Sequence, residues 1–268
     1  MRTVERLRAR TTRPCVVHRP FAGFELYLDL SRYATQGLLY LDGEHFVAER
    51  SLLARLVKPG MRIVDVGANI GYYLLLFEQL AGPEASIVAI EPSRVNLAEL
   101  KLNIERNGLR NVQLHEVALG NKSGEAWLAE SINSYVVPNG EGSYRVPVQT
   151  LDELVIGRVD FLKIDVDGYE GAVLDGARRV LERDRPIVFL EFHPLLVTPY
   201  GHSFASVHTL LSTFYTSIEY YDIPYPMPAI QRIGARYFGV NGYRRLPGPP
   251  AAPMHEGRAE GTFWIVCQ

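Results

Sequence analysis

Asp65, Gly67, Asn69 and Gly71 fall within seven residues of one another, in Val64-Asp65-Val66-Gly67-Ala68-Asn69-Ile70-Gly71. The run before Gly67 reads as a buried strand and the run after Gly71 as a helix. Gly67 lets the chain turn and a ligand approach the backbone, and Gly71 lets the helix pack near the strand. A dinucleotide fingerprint needs Gly-x-Gly-x-x-Gly, and here Asn69 holds the second glycine position. A pyrophosphate needs that close approach and exposed amides. S-adenosylmethionine carries no phosphate, and a carboxylate such as Asp65 suits its ammonium end. Glu91, twenty residues beyond Gly71 and at the end of the next apolar run, is placed to accept from both hydroxyls of a ribose. In His115-Glu116-Val117-Ala118-Leu119-Gly120, the small Ala118, with Glu116 beside it, is the candidate neighbour of an adenine. The bland alternatives are an ordinary strand–turn–helix and a helix N-terminal acid at 91.

A second group could handle a methyl acceptor. Methyl transfer to a hydroxyl is a displacement at a sulfonium methyl with a neutral leaving group. The protein must align the nucleophile and manage its proton. Asp165 ends an apolar strand and could orient the hydroxyl or take its proton. Glu191 and His193 end the following strand, and a histidine there can act as a base near neutral pH. It could equally be a satisfied histidine beside Pro194. Asp167 and Glu170 flank a tight turn, and an acid like Glu170 in a first helical turn is stabilised by free amides alone. Asp165, Glu191 and His193 could gather magnesium, but carboxylates commonly meet at strand ends, so a site without metal is the preferred expectation. An EF-hand is rejected, because Gly168 comes too early and Gly176 stands where a glutamate is needed.

Together these blocks resemble the FkbM-type methyltransferases. The resemblance rests on Val64 through Tyr72, Leu151-Asp152-Glu153-Leu154, Phe161 through Glu170, and Pro186 through Glu191 with His193 close behind; it covers roughly residues 35–195. It implies a class I methyltransferase fold, Rossmann-like, with a seven-stranded, mainly parallel sheet whose last strand is antiparallel. It also implies O-methylation of a sugar or natural-product hydroxyl. One departure is Asp167, where the family more often has glutamate.

The elements needed to position these residues are visible in the patterning. Residues 14–30 read as a hairpin and 44–57 as a helix stopped by Lys58-Pro59-Gly60. Strands at 63–66, 87–90, 112–115, 160–164 and 187–192 alternate with helices at 73–80, 93–107 and 171–182, which predicts an α/β parallel sheet covered on both faces. Residues 120–150 should hold short antiparallel strands, and 203–214 a helix. Residues 217–221 and 262–266 should be the final strands, separated by a Pro-, Gly- and Tyr-rich connection long enough to be a lid. Residues 1–58 are expected to form a cap and 59–268 the main domain.

The chain has 268 residues, 47% hydrophobic, with a net charge of −2, which gives no reason to expect a nucleic-acid partner. Two cysteines make no disulfide framework, and no apolar run is long enough to span a membrane, so a cytoplasmic setting is expected. The expected partner is a small-molecule or glycan acceptor. The rival readings are a nicotinamide-dependent oxidoreductase and a non-catalytic adenosine-binding module.

Overall fold

The computed structural model describes residues 15–18, 23–29, 47–130, 134–137, 142–222, 243–248 and 263–268. Strands β1 (Cys15–His18) and β2 (Leu26–Asp29) form the expected antiparallel hairpin. Helix α1 (Val47–Leu56) follows. The βα alternation then gives β3 (Arg62–Val66), α2 (Tyr72–Ala81), β4 (Ser86–Ile90), α3 (Arg94–Arg106) and β5 (Val112–His115). A smaller unit holds β6 (Ala118–Leu119), β7 (Gly124–Ala129), β8 (Tyr135–Val137) and β9 (Tyr144–Gln149). The chain continues through α4 (Leu151–Leu154), β10 (Phe161–Ile164), α5 (Glu170–Asp175), α6 (Arg178–Asp184), β11 (Ile187–Phe192), a 3-10 turn at Thr198–Tyr200 and α7 (Phe204–Phe214). It closes with β12 (Ile218–Asp222), β13 (Arg244–Arg245) and β14 (Phe263–Cys267).

The main sheet runs β13-β12-β14-β11-β10-β3-β4-β5. The five strands from β11 to β5 are parallel, and β14 is antiparallel to both β11 and β12. The seven expected strands are therefore present, with β14 inserted between β11 and β12. An eighth, two-residue strand, β13, adds to the edge. Its two arginines pair with the acids of its neighbour, Arg244 with Asp222 and Arg245 with Glu219, so charge as well as backbone ties it there. Strand order reverses between β3 and β10, which is where a ligand crevice opens in such sheets.

Alternation along the strands divides the core in two. Ile63, Phe161 and Phe189 face α1 and α2, packing with Leu52, Leu53, Leu74, Leu75 and Phe77. Val64, Val66, Leu162, Ile164, Val188 and Leu190 face the other layer, with Val173, Leu174, Leu181 and Leu211. Leu26 and Leu28 of β2 join the first cluster, so the hairpin and α1 share the core of the sheet. The hairpin is also tied to α3, where the Asn103 and Asn107 side chains accept from the Tyr27 and Glu25 N–H groups.

One expectation needs correction. The single helix over 171–182 is broken into α5 and α6. A Cβ at Gly176 would stand 2.0 Å from the Gly120 carbonyl oxygen, and the Gly176 carbonyl accepts from Asp152 N. The chain there packs against its neighbours rather than continuing the helix. The short antiparallel strands expected within 120–150 are present as β7, β8 and β9, and β6, just before them, pairs with β9 in parallel. Most of the proposed lid between β12 and β14 lies outside the described residues.

Candidate active site

The turn between β3 and α2 is held in a left-handed conformation at three of five positions: Gly67 (φ 78°), Asn69 (φ 50°) and Gly71 (φ 95°). Asparagine is among the few residues that tolerate this region. Packing within the protein gives glycine at 67 a reason beside the expected ligand approach. An added Cβ would lie 1.9 Å from the Asp165 carbonyl oxygen, so the turn is pressed against the end of β10. At Gly71 the close neighbour is Leu100 of α3, 2.9 Å away, rather than the strand.

All five amides of this turn are engaged within the protein. Gly67 N and Ala68 N donate to the Ile90 carbonyl at 3.0 Å each, and Gly71 N donates to Ala68 O. Ile70 N donates to the Asn69 side chain, and Asn69 N donates to Glu91 Oε2 at 2.9 Å. No amide here is left to form an anion nest. Glu91 also accepts from Ser93 N (2.9 Å) and Asn96 Nδ2 (3.2 Å) through Oε1. Its burial raises its pKa to about 7, against the pull of these donors.

Behind the turn lies a cross-strand pair. In the β3–β10 ladder Asp65 stands opposite Lys163. Their side chains are 0% and 1% exposed, with Lys163 Nζ 3.2 Å from Asp65 Oδ1. The same ammonium donates to the Gly67 carbonyl at 3.0 Å, lies 3.4 Å from Asp165 Oδ2, and sits 4.7 Å from the centre of the Tyr73 ring. Burial lowers the lysine's pKa, but Asp65 and Asp165 outweigh it and hold it above the ordinary value. Asp65 therefore does not lie open to a ligand ammonium, as expected. It is sealed on the α2 side of the sheet because the alternation that sends Val64 and Val66 to one core sends Asp65 to the other.

At the ends of β10 and β11, Asp165, Asp167, Glu191 and His193 come together. The buried His193 ring places Nδ1 2.7 Å from Glu170 Oε1. Glu170, wholly buried, also accepts from Gly168 N at 2.8 Å. Its helical position stands as expected, but it also holds the histidine. His193 Nε2 lies 3.8 Å from Asp167 Oδ1 and 3.7 Å from Glu191 Oε1. Burial lowers the His193 pKa, but the Glu170 hydrogen bond and the Glu191, Glu170 and Asp165 charges raise it to about 10. The neutral-pH base anticipated at 193 is thus an imidazolium in this acidic setting. Burial and the Asp165 charge push Glu191 well above the ordinary carboxylate range.

The remaining expected residues, Glu116 and Ala118, follow the end of β5. Glu116 is half-exposed and pairs with Lys101 of α3 at 2.6 Å. Ala118 turns into the small sheet's own core with Leu128, Val146 and Val148. Its small size serves that packing, a role distinct from its expected place beside adenine. Lys163 and Glu49 were missed. A lysine in an otherwise apolar strand, one residue before its end, was the available signal, because Asp65 occupies the same offset in β3. Glu49 of α1 is buried, its pKa is raised to about 8 by burial and by the Asp165 charge, and no motif marks it. Tyr169 and Tyr200 stack edge-on at 5.0 Å, and the Tyr200 hydroxyl donates to the Val136 carbonyl, joining the small sheet to the loop after β11.

A methyltransferase FkbM domain matches residues 65–215, more than half of the chain. Over 80 residues the chain is 31% identical to protein-L-isoaspartate O-methyltransferase of Thermotoga maritima, a stretch covering 27% of this chain and 25% of that protein. The chain thus matches about a quarter of that relative's length. Among solved structures, M. jannaschii TYW2 in complex with AdoMet is 13% identical, with a TM-score of 0.50 over 96% of this chain and 85% of that one. Methyltransferase FkbM from Methylobacillus flagellatus KT is 20% identical, with a TM-score of 0.44 over 70% of this chain and 52% of that one. The TYW2 likeness shows the shared class I fold.

Proposed function

This chain belongs to the FkbM methyltransferase family, and we propose that it is an S-adenosylmethionine-dependent O-methyltransferase acting on a hydroxyl of a small molecule or glycan. The observation that carries the cofactor reading is the turn at 67–71. Every one of its amides is engaged within the protein, and Glu91 lies directly against it. A site with no free amides suits a ligand without phosphates, and an adjoining carboxylate suits a ribose diol.

The charge balance supports the same ligand. Asp65, Asp165, Asp167 and Glu170 gather around two cations, Lys163 and His193, and the buried Glu49 and Glu191 add carboxyls whose raised pKa values a ligand cation would lower. That excess of acids suits a ligand carrying an ammonium and a sulfonium. When bound, the cofactor supplies an electrophilic methyl group on a positively charged sulfur.

The chain's own residues do the rest. Gly67, Asn69 and Gly71 shape the turn, and Glu91 would hold the ribose. Lys163 fixes the Gly67 carbonyl and Asp165 relative to each other. Asp165, partly open at the end of β10, would orient the acceptor hydroxyl and accept its proton. Glu191 and His193 complete the acceptor side.

Calorimetric titration with S-adenosylhomocysteine and with NAD tests the reading. Binding of the first and not the second is expected; NAD binding with no response to S-adenosylhomocysteine would overturn it. Methyl transfer to hydroxylated acceptors then tests the O-methyl assignment.

A further inference from the structure

The structure brings together one nitrogen and two oxygen donors in a form that a metal ion would complete. Asp165, Asp167 and His193 each offer one ligand atom, and these atoms all lie within 4.8 Å of one another. Donors bound to one ion at about 2.1 Å stand about 3–4 Å apart, so small side-chain shifts close the gap. We propose that these three residues form a divalent-cation site beside the methyl-acceptor position.

His193 supplies the observation that separates this group from a chance gathering of acids. The residue is 4% exposed, so its ring is almost wholly withdrawn from bulk water. Glu170 takes Nδ1, which leaves Nε2 as the atom facing the carboxylates, and an ion bound there would displace the proton that the surrounding acids otherwise hold on the ring. Among the described residues Nε2 has no hydrogen-bond partner, because the nearest carboxylate oxygens stand 3.7 and 3.8 Å away. A buried imidazole with its rear nitrogen held by a carboxylate and its front nitrogen aimed at further carboxylates is the arrangement that orients a histidine ligand.

The carboxylates fit the same purpose. Lys163 approaches Asp165 through Oδ2, on the side of Asp65, and the carboxylate has a second oxygen. Asp167 holds a left-handed backbone (φ 49°) between its two partners in sequence. Glu191, whose Oε1 lies on the rim of the group, stands near enough to support a water or the acceptor. The sequence favoured a site without metal and offered Glu191 as the second oxygen donor; the geometry puts Asp167 there instead. One nitrogen and two carboxylate donors suit manganese(II) and neighbouring divalent ions. A cation here would acidify an acceptor hydroxyl, a role that rests on the methyl-transfer reading; binding of the ion itself does not.

Manganese(II) is the probe. The full chain, stripped with a chelator, is titrated with Mn2+ while the free ion is followed by electron paramagnetic resonance. One bound ion per chain is expected. Asp167→Asn should weaken it at least about 100-fold, because asparagine keeps the left-handed backbone but loses the charge. Glu170→Gln should weaken it about 10- to 100-fold through the histidine. Thermal unfolding should show the Asp167→Asn sample folded, so that the loss of Mn2+ is read at the site itself. If Asp167→Asn fails to fold, His193→Gln serves in its place. A free-ion signal that tracks all added Mn2+ would overturn the proposal, as would wild-type affinity in the variants. Loss of S-adenosylhomocysteine binding in the wild type would instead overturn the methyl-transfer reading and leave the ion site standing.

Discussion

Lys163 and Asp65 are a buried ion pair in cross-strand register, 3.2 Å apart, and neither side chain is measurably open to water. Removing one partner of such a pair strands a charge in the core, whereas removing both can be close to neutral. Lys163→Met should therefore cost about 3–5 kcal/mol in denaturant unfolding. Adding Asp65→Val should restore at least about 1–2 kcal/mol of that loss, because the stranded carboxylate goes with it. If the double variant were less stable than Lys163→Met alone, the pair would not be the source of the cost. Lys163→Met should also weaken S-adenosylhomocysteine binding, since the Gly67 carbonyl loses its donor.

Gly67 and Asn69 share a left-handed backbone but not its cause. At Gly67 a methyl group would also collide with the Asp165 carbonyl 1.9 Å away. Gly67→Ala should cost at least about 2 kcal/mol and lower affinity for S-adenosylhomocysteine, because either the turn or the end of β10 must shift. Asn69→Gly keeps the N–H that reaches Glu91 and loses only a local side-chain bond, so its cost should stay below about 1 kcal/mol. Thermal or denaturant unfolding of the two variants side by side decides it; equal costs would show that backbone conformation alone explains Gly67.

The strand–turn–helix and the paired carboxylate were legible in the sequence because both are local. Gly67, Asn69, Gly71 and Glu91 sit on one βαβ unit with a fixed stride. The order of the parallel strands was legible for the same reason. Features that depend on register between distant segments were not. Lys163 meets Asp65 only because Phe161 pairs with Ile63, nearly a hundred residues away. Glu49 reaches the site from a helix outside the repeating βα pattern. Ala118 was assigned by its place after a strand, but the small sheet captured its side chain. Glu170 was read as a helix-end acid, and its second partner, His193, comes from the next strand.

Glu91 joins the turn to the proposed ribose site, and its two oxygens carry different loads. Oε1 accepts from Ser93 N and Asn96, while Oε2 accepts from Asn69 N alone. Glu91→Gln keeps the shape and lets one oxygen serve Ser93, but it sets an amide donor against the Asn69 N–H. Affinity for S-adenosylhomocysteine should fall about 10- to 100-fold, the loss expected for a hydrogen bond to a charged group. Glu91→Ala should fall further and also lose stability, because buried donors are left unpaired. Unchanged affinity in both variants, measured by calorimetry, would remove Glu91 from the ligand site.

Glu49 ties stability to pH. Burial, with Asp165 adding repulsion, raises its pKa from 4.5 to about 8 in the folded chain. Between those values the native state holds a proton that the unfolded chain has released. Stability from this group is therefore full below about pH 4.5, falls as pH rises, and levels off above about pH 8. One proton corresponds to a slope of about 1.4 kcal/mol per pH unit at most. Glu91, raised to about 7, contributes a slope of the same sign up to that pH. The difference between the wild type and Glu49→Gln isolates residue 49, since Glu91 is common to both. The two should be similarly stable at pH 5, and the variant should be more stable by about 3 kcal/mol at pH 8.5. Denaturant unfolding across pH 5–9 gives the comparison. A difference that stays flat would mean that Glu49 ionises freely in the folded chain, and that the acids meeting at Asp165 repel one another far less than their burial implies.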